Sequence, residues 1–231
     1  MQYQLSRVVA GPFLHAMGRP SAAGLENVPE TGAAILASNH LSIIDSVYLP
    51  FVVPRPVVFP AKAEYFSAKG PVGRLWAAYL RSTNQLSINR GGARAAQETL
   101  DSALEILAAG ELFGFYPEGT RSPDGKLYRG RSGLGYLALN SGAPVVPVAM
   151  LGTRKMMPPG TSYLRPAKIE VRIGKPMTFE DLAGVAPAKA RREVADRVMA
   201  AIRELSGQEY VHMYASDRKD EIAAATKKPK D

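Results

Sequence analysis

The sequence predicts a single layered α/β domain with a central, mostly parallel mixed sheet flanked by helices, plus an amphipathic helix at its N-terminus. Short apolar runs of strand length alternate with segments of helical periodicity, which is typical of this class. The 231 residues suffice for one hydrophobic core, and 46% hydrophobic with 22% charged residues is an ordinary globular composition. No internal repeat or domain linker interrupts the pattern.

The apolar runs, and the residues that end them, predict the individual strands and helices. Strands are predicted over residues 33–37, 55–59, 86–88, 112–116, 145–151 and 168–173. Helices are predicted over 93–109, which Gly110 ends, and over 187–206. We therefore divide the chain into an N-terminal helix (1–20), a main domain (21–205) and a partly disordered C-terminal extension (206–231).

The N-terminal helix carries an apolar stripe at helical spacing: Leu5, Val8, Val9, Phe13 and Met17. Arg7 and Arg19 border it, and no acid precedes Glu26. The charge-free stretch 8–18 is far shorter than the roughly 20 residues of a membrane-crossing helix and lacks the features of a signal peptide. Two alternatives stay open: a helix lying in an anionic membrane surface, or one packed on the domain's own core.

Charge and residue usage narrow the function classes. The net charge of +8 indicates an anionic partner, and residues 154–175 hold six basic residues against one acid. Such a run is also compatible with a merely solvated face. No groove-reading motif is present, so nucleic acid is not an expected partner. With no cysteine and three scattered histidines, neither a disulfide, a cysteine nucleophile nor a metal site is predicted, and cytosolic exposure fits best.

The first motif with chemistry is Ser38-Asn39-His40-Leu41-Ser42-Ile43-Ile44-Asp45, directly after a predicted buried strand. His40 would lie at the carboxyl end of that strand, where open α/β sheets form their ligand clefts. An imidazole can take a proton from an alcohol if a carboxylate fixes its tautomer, and Asp45 could supply that carboxylate. A structural His beside an Asp is the simpler alternative.

The second motif is Phe115-Tyr116-Pro117-Glu118-Gly119-Thr120-Arg121-Ser122, again at the end of an apolar strand. Gly119 permits close backbone approach, while Thr120 and Arg121 offer donors suited to a phosphate. Glu118 could bind a substrate hydroxyl or hold the loop by accepting backbone amides. The segment 119–126 lacks the spacing and the Ser/Thr of a P-loop, and no Gly-x-Ser-x-Gly elbow occurs, so Ser42 is more plausibly a turn residue than a nucleophile.

These motifs resemble the signatures of the PlsC-type (lysophosphatidic acid) glycerolipid acyltransferases. The His40-x4-Asp45 box and the Glu118-Gly119-Thr120-Arg121 box stand in the family's order. Two weaker motifs also match, one running from Lys62-Ala63-Glu64 to Ile88-Asn89-Arg90 and the other Val145-Val146-Pro147-Val148. Four motifs in register across 39–148 are specific, although Asn89 replaces an acid that the family often carries, and the resemblance thins beyond Val148.

The resemblance implies roles for the matching residues. His40 and Asp45 would form the catalytic dyad, and Gly119 and Arg121 would lie near the acceptor phosphate, with Lys62 and Arg90 adding positive charge. Pro147 would shape the acyl-donor side. It further implies acylation of lysophosphatidic acid from acyl-CoA or acyl-carrier protein without a cofactor, by a peripheral protein on the cytoplasmic face of a membrane. The alternatives are acylation of glycerol 3-phosphate or another lysolipid, or a non-enzymatic basic membrane-surface binding protein.

Overall fold

A computed structural model describes residues 2–83, 85–88, 92–161 and 163–227. The helices are α1 (Gln2–Gly18), α2 (Asp45–Val52), α3 (Ala63–Phe66), α4 (Gly70–Ser82), α5 (Gly92–Ala108), α6 (Gly133–Ser141), α7 (Thr153–Met156), α8 (Pro187–Ser206) and α9 (Ala215–Lys227). The strands are β1 (Ser21–Ala23), β2 (Ala34–Ser38), β3 (Val57–Val58), β4 (Pro60–Lys62), β5 (Leu86–Ile88), β6 (Leu112–Phe115), β7 (Leu127–Tyr128), β8 (Val145–Leu151), β9 (Glu170–Ile173) and β10 (Tyr210–Val211). Short 3-10 turns cover Leu25–Asn27 and Glu180–Leu182.

The central sheet confirms the predicted mostly parallel, mixed arrangement. Within the described residues it has six strands in the order β1-β9-β8-β2-β6-β3. The β8–β9 pair is antiparallel, and the other neighbouring pairs of this order are parallel. Ala37 of β2 is opposite Phe115 of β6. Because His40 and Glu118 each follow three residues after this pair, the register brings both predicted motifs to one edge of the sheet.

Helices cover both faces of this sheet, so its strands are buried on two sides. Ala34 and Leu36 of β2 belong to a core shared with α1 and α2, whereas Ile35 and Ala37 belong to a second core shared with α5, α6 and α8. Alternate residues of a strand point to opposite faces, which explains why the run 34–38 is apolar throughout instead of alternating. The site at the strand ends therefore rests on a three-layer framework.

Helix α8 shows how local sequence sets its bounds. Pro187 occupies its first turn, where the missing N–H is not needed, and Gly207 ends it in the left-handed conformation at φ 67°. Its buried positions recur at helical spacing: Ala190, Val194, Ala195, Val198, Met199 and Ile202. This spacing gives an apolar stripe that packs on the sheet, so the predicted range 187–206 is confirmed.

Helix α1 is present as predicted and has two different sides. The backbone carbonyl of Leu14, whose side chain is buried, accepts a 2.9 Å hydrogen bond from the Tyr48 hydroxyl of α2. By contrast, Val8 is 72% exposed and Phe13 56% exposed. The side chains of residues 2–7 and 9 lie outside the described set, and with them Leu5 and Val9 of the expected stripe. In the described part of the chain, no helix combines the length and apolarity needed to cross a membrane.

Residues after Ser206 form part of the folded unit. β10 pairs in parallel with β7, with Tyr210 opposite Leu127. The Gln208 side chain joins this segment to the main domain, accepting 2.7 Å from Asn39 Nδ2 and donating 2.6 Å to the Gly125 carbonyl. Residues 228–231, at the end of the expected disordered part, lie outside the described range. The segment 206–227 therefore lies against the loops of the candidate site.

Candidate active site

The loop that carries His40 is fixed where β2 ends. Asn39 is fully buried, and its side chain pairs with the backbone of Met150 in the neighbouring strand β8. Met150 N donates 2.7 Å to Asn39 Oδ1, while Asn39 Nδ2 donates 3.1 Å to the Met150 carbonyl. A buried amide whose oxygen and nitrogen both form hydrogen bonds is costly to displace. The backbone of His40, the next residue, is therefore fixed at the end of β2.

The His40 and Asp45 side chains meet as predicted. His40 Nδ1 lies 2.9 Å from Asp45 Oδ2, with the His40 side chain 13% exposed and Asp45 fully buried. The same Oδ2 accepts backbone N–H groups from Leu41 at 2.7 Å and Ser42 at 2.8 Å. These donors fix the carboxylate in the first turn of α2. A carboxylate facing Nδ1 selects the tautomer with the proton on Nδ1, which puts the basic lone pair on Nε2.

An aromatic ring that the sequence analysis did not predict to be part of the site packs on the face of the imidazole. Tyr116 stacks on His40 with ring centroids 3.8 Å apart and planes 11° from parallel. Phe59 lies against Tyr116 at 5.3 Å, and the Tyr116 hydroxyl is 2.8 Å from Ser46 Oγ in α2. Carboxylate and ring together leave the imidazole little freedom to rotate, which a positioned base requires. The signal for Tyr116 was its place within the second motif, two residues before Glu118.

Glu118 contacts backbone amides at both carboxylate oxygens. His40 N donates 3.1 Å to Oε1, and Tyr128 N donates 3.0 Å to Oε2. The side chain is 1% exposed, and this burial raises the pKa of Glu118 to about 8 despite the two amide donors. Of the two roles left open for Glu118, the geometry favours holding the loop over touching a substrate hydroxyl.

The two motifs are joined by a second link that involves Ser122. Its backbone N–H donates 2.7 Å to the His40 carbonyl, while its Oγ accepts 2.9 Å from Gly125 N and closes the turn that follows. The His40 backbone therefore donates to Glu118 and accepts from Ser122. Movement of the second motif would move His40, so the two motifs form one unit.

The loop from Gly119 to Arg121 lies beside this unit. Gly119 has φ 72°, and a Cβ there would lie 3.1 Å from Cδ of Arg131, so both conformation and space favour glycine. Thr120 Oγ1 accepts a hydrogen bond from Lys219 Nζ of α9. Arg121 is half-buried, and within the described residues its guanidinium has no hydrogen-bond or ion-pair partner. An unengaged guanidinium on this loop, which Ser122 ties to the His40 backbone, is suited to an anionic ligand.

The remaining predicted residues lie at varied positions. Lys62 ends β4, which begins one residue after Phe59 of the aromatic stack and pairs with β5. Arg90 follows β5 but, like Asn89, lies outside the described residues. Pro147 is buried within β8 opposite Ala37, and its ring packs close to Gly174. The expected contact of Pro147 with the acyl donor stays a prediction.

The hydroxyl of Ser42 is engaged in structure. It donates 2.9 Å to the carbonyl of Met157, and the residue is buried. This supports the interpretation of Ser42 as a turn residue. Across the described ranges, no group of three or more His, Asp or Glu side chains is arranged to hold a metal ion. The chemistry that these residues themselves offer is proton transfer at His40, beside a loop whose guanidinium suits an anion.

Comparisons with known proteins agree with this geometry. A family model described as Acyltransferase matches residues 19–151, more than half of the chain. The 1-acyl-sn-glycerol-3-phosphate acyltransferase of Chlamydomonas reinhardtii is 33% identical over 174 residues, covering 74% of this chain and 51% of that protein. The enzyme of the same name from Pseudomonas aeruginosa is 31% identical over 204 residues, covering 87% and 74%.

A solved structure extends the likeness to three dimensions. The crystal structure of the 1-acyl-sn-glycerophosphate (LPA) acyltransferase PlsC from Thermotoga maritima matches with a TM-score of 0.65 at 25% identity, covering 88% of this chain and 79% of that one. The chain spans about half the length of its algal and plant relatives. With the family model, the bacterial relative and the shared fold in agreement, the chain belongs to the acyltransferase family, among its PlsC-type members.

Proposed function

We propose that this protein transfers a fatty acyl group to the free hydroxyl of lysophosphatidic acid and so makes phosphatidic acid. The observation that carries the proposal is the 2.9 Å contact between His40 Nδ1 and the buried Asp45 carboxylate, directly linked to the loop of Arg121. The names of the relatives give the acceptor, since they are 1-acyl-sn-glycerol-3-phosphate acyltransferases. The donor is a thioester, acyl-CoA or acyl-carrier protein, and no cofactor is needed.

The reaction uses His40 as a general base. Nε2 takes the proton of the acceptor hydroxyl as its oxygen attacks the thioester carbonyl carbon. The tetrahedral intermediate collapses with breakage of the C–S bond, and the leaving thiolate takes the proton back from the imidazolium. Ester and thiol are the products, and His40 returns to its neutral state. Asp45 stabilises the imidazolium between these steps.

The second motif holds the acceptor so that its hydroxyl meets the base. Arg121 binds the phosphate, with Gly119 and Thr120 shaping the loop and Lys62 and Arg90 adding positive charge. Fixing the phosphate converts binding energy into orientation, which can contribute several kcal/mol to a two-substrate reaction. Glu118 acts through the backbone of His40, and Pro147 borders the donor side.

The enzyme works at a membrane surface because acceptor and product are both lipids. Helix α1 supports this proposal: Val8 and Phe13 are exposed, and Arg7 and Arg19 carry positive charge for anionic lipid. We place the protein as a peripheral one on the cytoplasmic face. The helix then combines both predicted roles, packing on the core through Leu14 and meeting lipid through its other side.

One assay tests the function. Purified protein is given labelled acyl-CoA or acyl-carrier protein with lysophosphatidic acid, glycerol 3-phosphate or another lysolipid in parallel, and the His40→Ala variant is the control. Phosphatidic acid formed by the wild type but not by the variant supports the proposal. Consumption of glycerol 3-phosphate instead would favour a sister acyltransferase. Lipid binding without transfer in any arm would favour a basic membrane-surface binding protein.

A further inference from the structure

The C-terminal helix α9 brings a cation to the loop between Gly119 and Arg121. Lys219 Nζ donates a hydrogen bond to Thr120 Oγ1, across 99 residues of sequence. The ammonium lies close enough to the buried Glu118 carboxyl to lower its pKa, against the larger effect of burial, which raises it. Lys219 is itself half-buried, so its charge is less screened than that of an exposed surface lysine.

Several contacts fix α9 against this loop, so the position of Lys219 is built into the fold. Arg131, whose side chain passes over Gly119, donates 3.0 Å from Nη2 to Ser216 Oγ at the start of α9. The Arg131 guanidinium also lies 4.9 Å from the ring centre of Tyr214, directly before the helix. In the same turn of the helix, Arg218 Nε lies 3.7 Å from Asp124 Oδ2. The helix begins with the fully buried Ala215.

The charge of the proposed acceptor favours a further cation at this loop. A phosphate monoester carries about −1.5 to −2 charge at neutral pH, so it gains from each cation that lies beside it in addition to Arg121. A lysolipid with a phosphodiester headgroup carries one negative charge on that phosphate. Arg121 follows Thr120 in the sequence, and Lys219 contacts Thr120 from α9. A pair of cations at this loop therefore favours a monoester over a diester.

We propose that Lys219 is a specificity-determining residue that binds the acceptor phosphate together with Arg121. This inference rests on the proposed function, and it assigns to the C-terminal segment a direct part in choosing the acceptor. Arg131 has a different part: it positions α9 through Ser216 and Tyr214. The donor thioester and the base are not expected to depend on Lys219.

The test compares Lys219→Met, which removes the charge, with Lys219→Arg, which keeps it, in the full chain. Lys189→Met, at an exposed site in the first turn of α8, is the matched control. We expect Lys219→Met to raise the KM and the Kd for lysophosphatidic acid about 10-fold, as loss of a charge-assisted contact does, with the donor KM unchanged. Lysophosphatidylglycerol, a diester, should be affected less, and Lys219→Arg should restore most of the affinity.

Three results would overturn the inference. The first is a Lys219→Met variant that binds and acylates lysophosphatidic acid like the wild type. The second is an equal loss for donor, monoester and diester, with a lowered melting temperature, which would make Lys219 a structural residue. The third is a wild type that does not bind lysophosphatidic acid. If the wild type binds it but transfers no acyl group, the proposed function fails, while the comparison of Kd values still decides the role of Lys219.

Discussion

The buried carboxyl of Glu118 predicts a specific dependence of stability on pH. Burial raises the pKa of Glu118 to about 8 in the folded protein, whereas its ordinary value is 4.5. The folded state therefore holds a proton between these values that the unfolded state has released. Stability from this group is greatest below pH 4.5 and is lost as the pH rises toward 8. One pKa unit corresponds to about 1.4 kcal/mol, so the loss amounts to about 5 kcal/mol over the whole window.

Replacement of Glu118 by Gln removes this titration. The variant has one carbonyl oxygen for two backbone donors, from His40 and Tyr128, so at pH 5 it should be less stable than the wild type by about 1–3 kcal/mol. As the pH rises, the wild type loses stability and the variant does not. The two stability curves should cross, leaving Glu118→Gln the more stable protein near pH 8.

Urea unfolding at pH 5, 6, 7 and 8 measures this difference. Glu111→Gln, at an exposed acid before β6, is the control and should follow the wild type at every pH. Parallel curves for the wild type and Glu118→Gln across the range would refute the raised pKa. They would mean that the two amide donors outweigh burial and keep Glu118 ionised throughout.

Three further predictions concern the chemistry and the membrane. Asp45→Asn should lower kcat about 10²–10⁴-fold with little change in KM, because an amide cannot hold the Nδ1–H tautomer; a loss of melting temperature alone would make Asp45 structural. Arg121→Ala should raise the KM for lysophosphatidic acid at least 10-fold but not that for the donor, and an equal rise in both would assign the loop to the CoA phosphates. Val8→Ser with Phe13→Ser should weaken sedimentation with anionic vesicles without destabilising the fold, most at high salt, where charge attraction is screened and apolar contact remains; unchanged binding would place the membrane contact elsewhere, with the basic stretch 154–175 as the next candidate.

The sequence was informative wherever an element buries a long apolar surface. Strands β5 and β8 and helix α8 have the predicted bounds, and β2 differs by one residue at each end. However, β5 pairs with β4 in a separate two-stranded sheet and not in the central one. The short strands β7 and β10 were missed, because two-residue strands pair through backbone atoms and leave no periodic pattern in the side chains.

In the candidate site too, contacts between residues close in sequence could be predicted, whereas contacts between distant residues could not. The pairing of His40 with Asp45 is local and could be predicted from their spacing and the end of a strand. The stacking of Tyr116 on His40 and the contact of Lys219 with Thr120 join residues 76 and 99 positions apart, so tertiary packing alone brings them together. The hydrogen bonds of Glu118 depend on which backbone N–H groups the fold places beside its carboxyl group. Composition cannot specify that.

The role of His40 as general base can be tested in a single experiment. Single-turnover acylation of lysophosphatidic acid is compared for the wild type and for His40→Ala, with the melting temperature and the Kd for the acceptor measured on the same samples. We expect His40→Ala to lower this rate about 10²–10⁴-fold, with binding and folding retained, because Nε2 no longer takes the hydroxyl proton. A folded His40→Ala variant that transfers the acyl group at a rate near that of the wild type would contradict it.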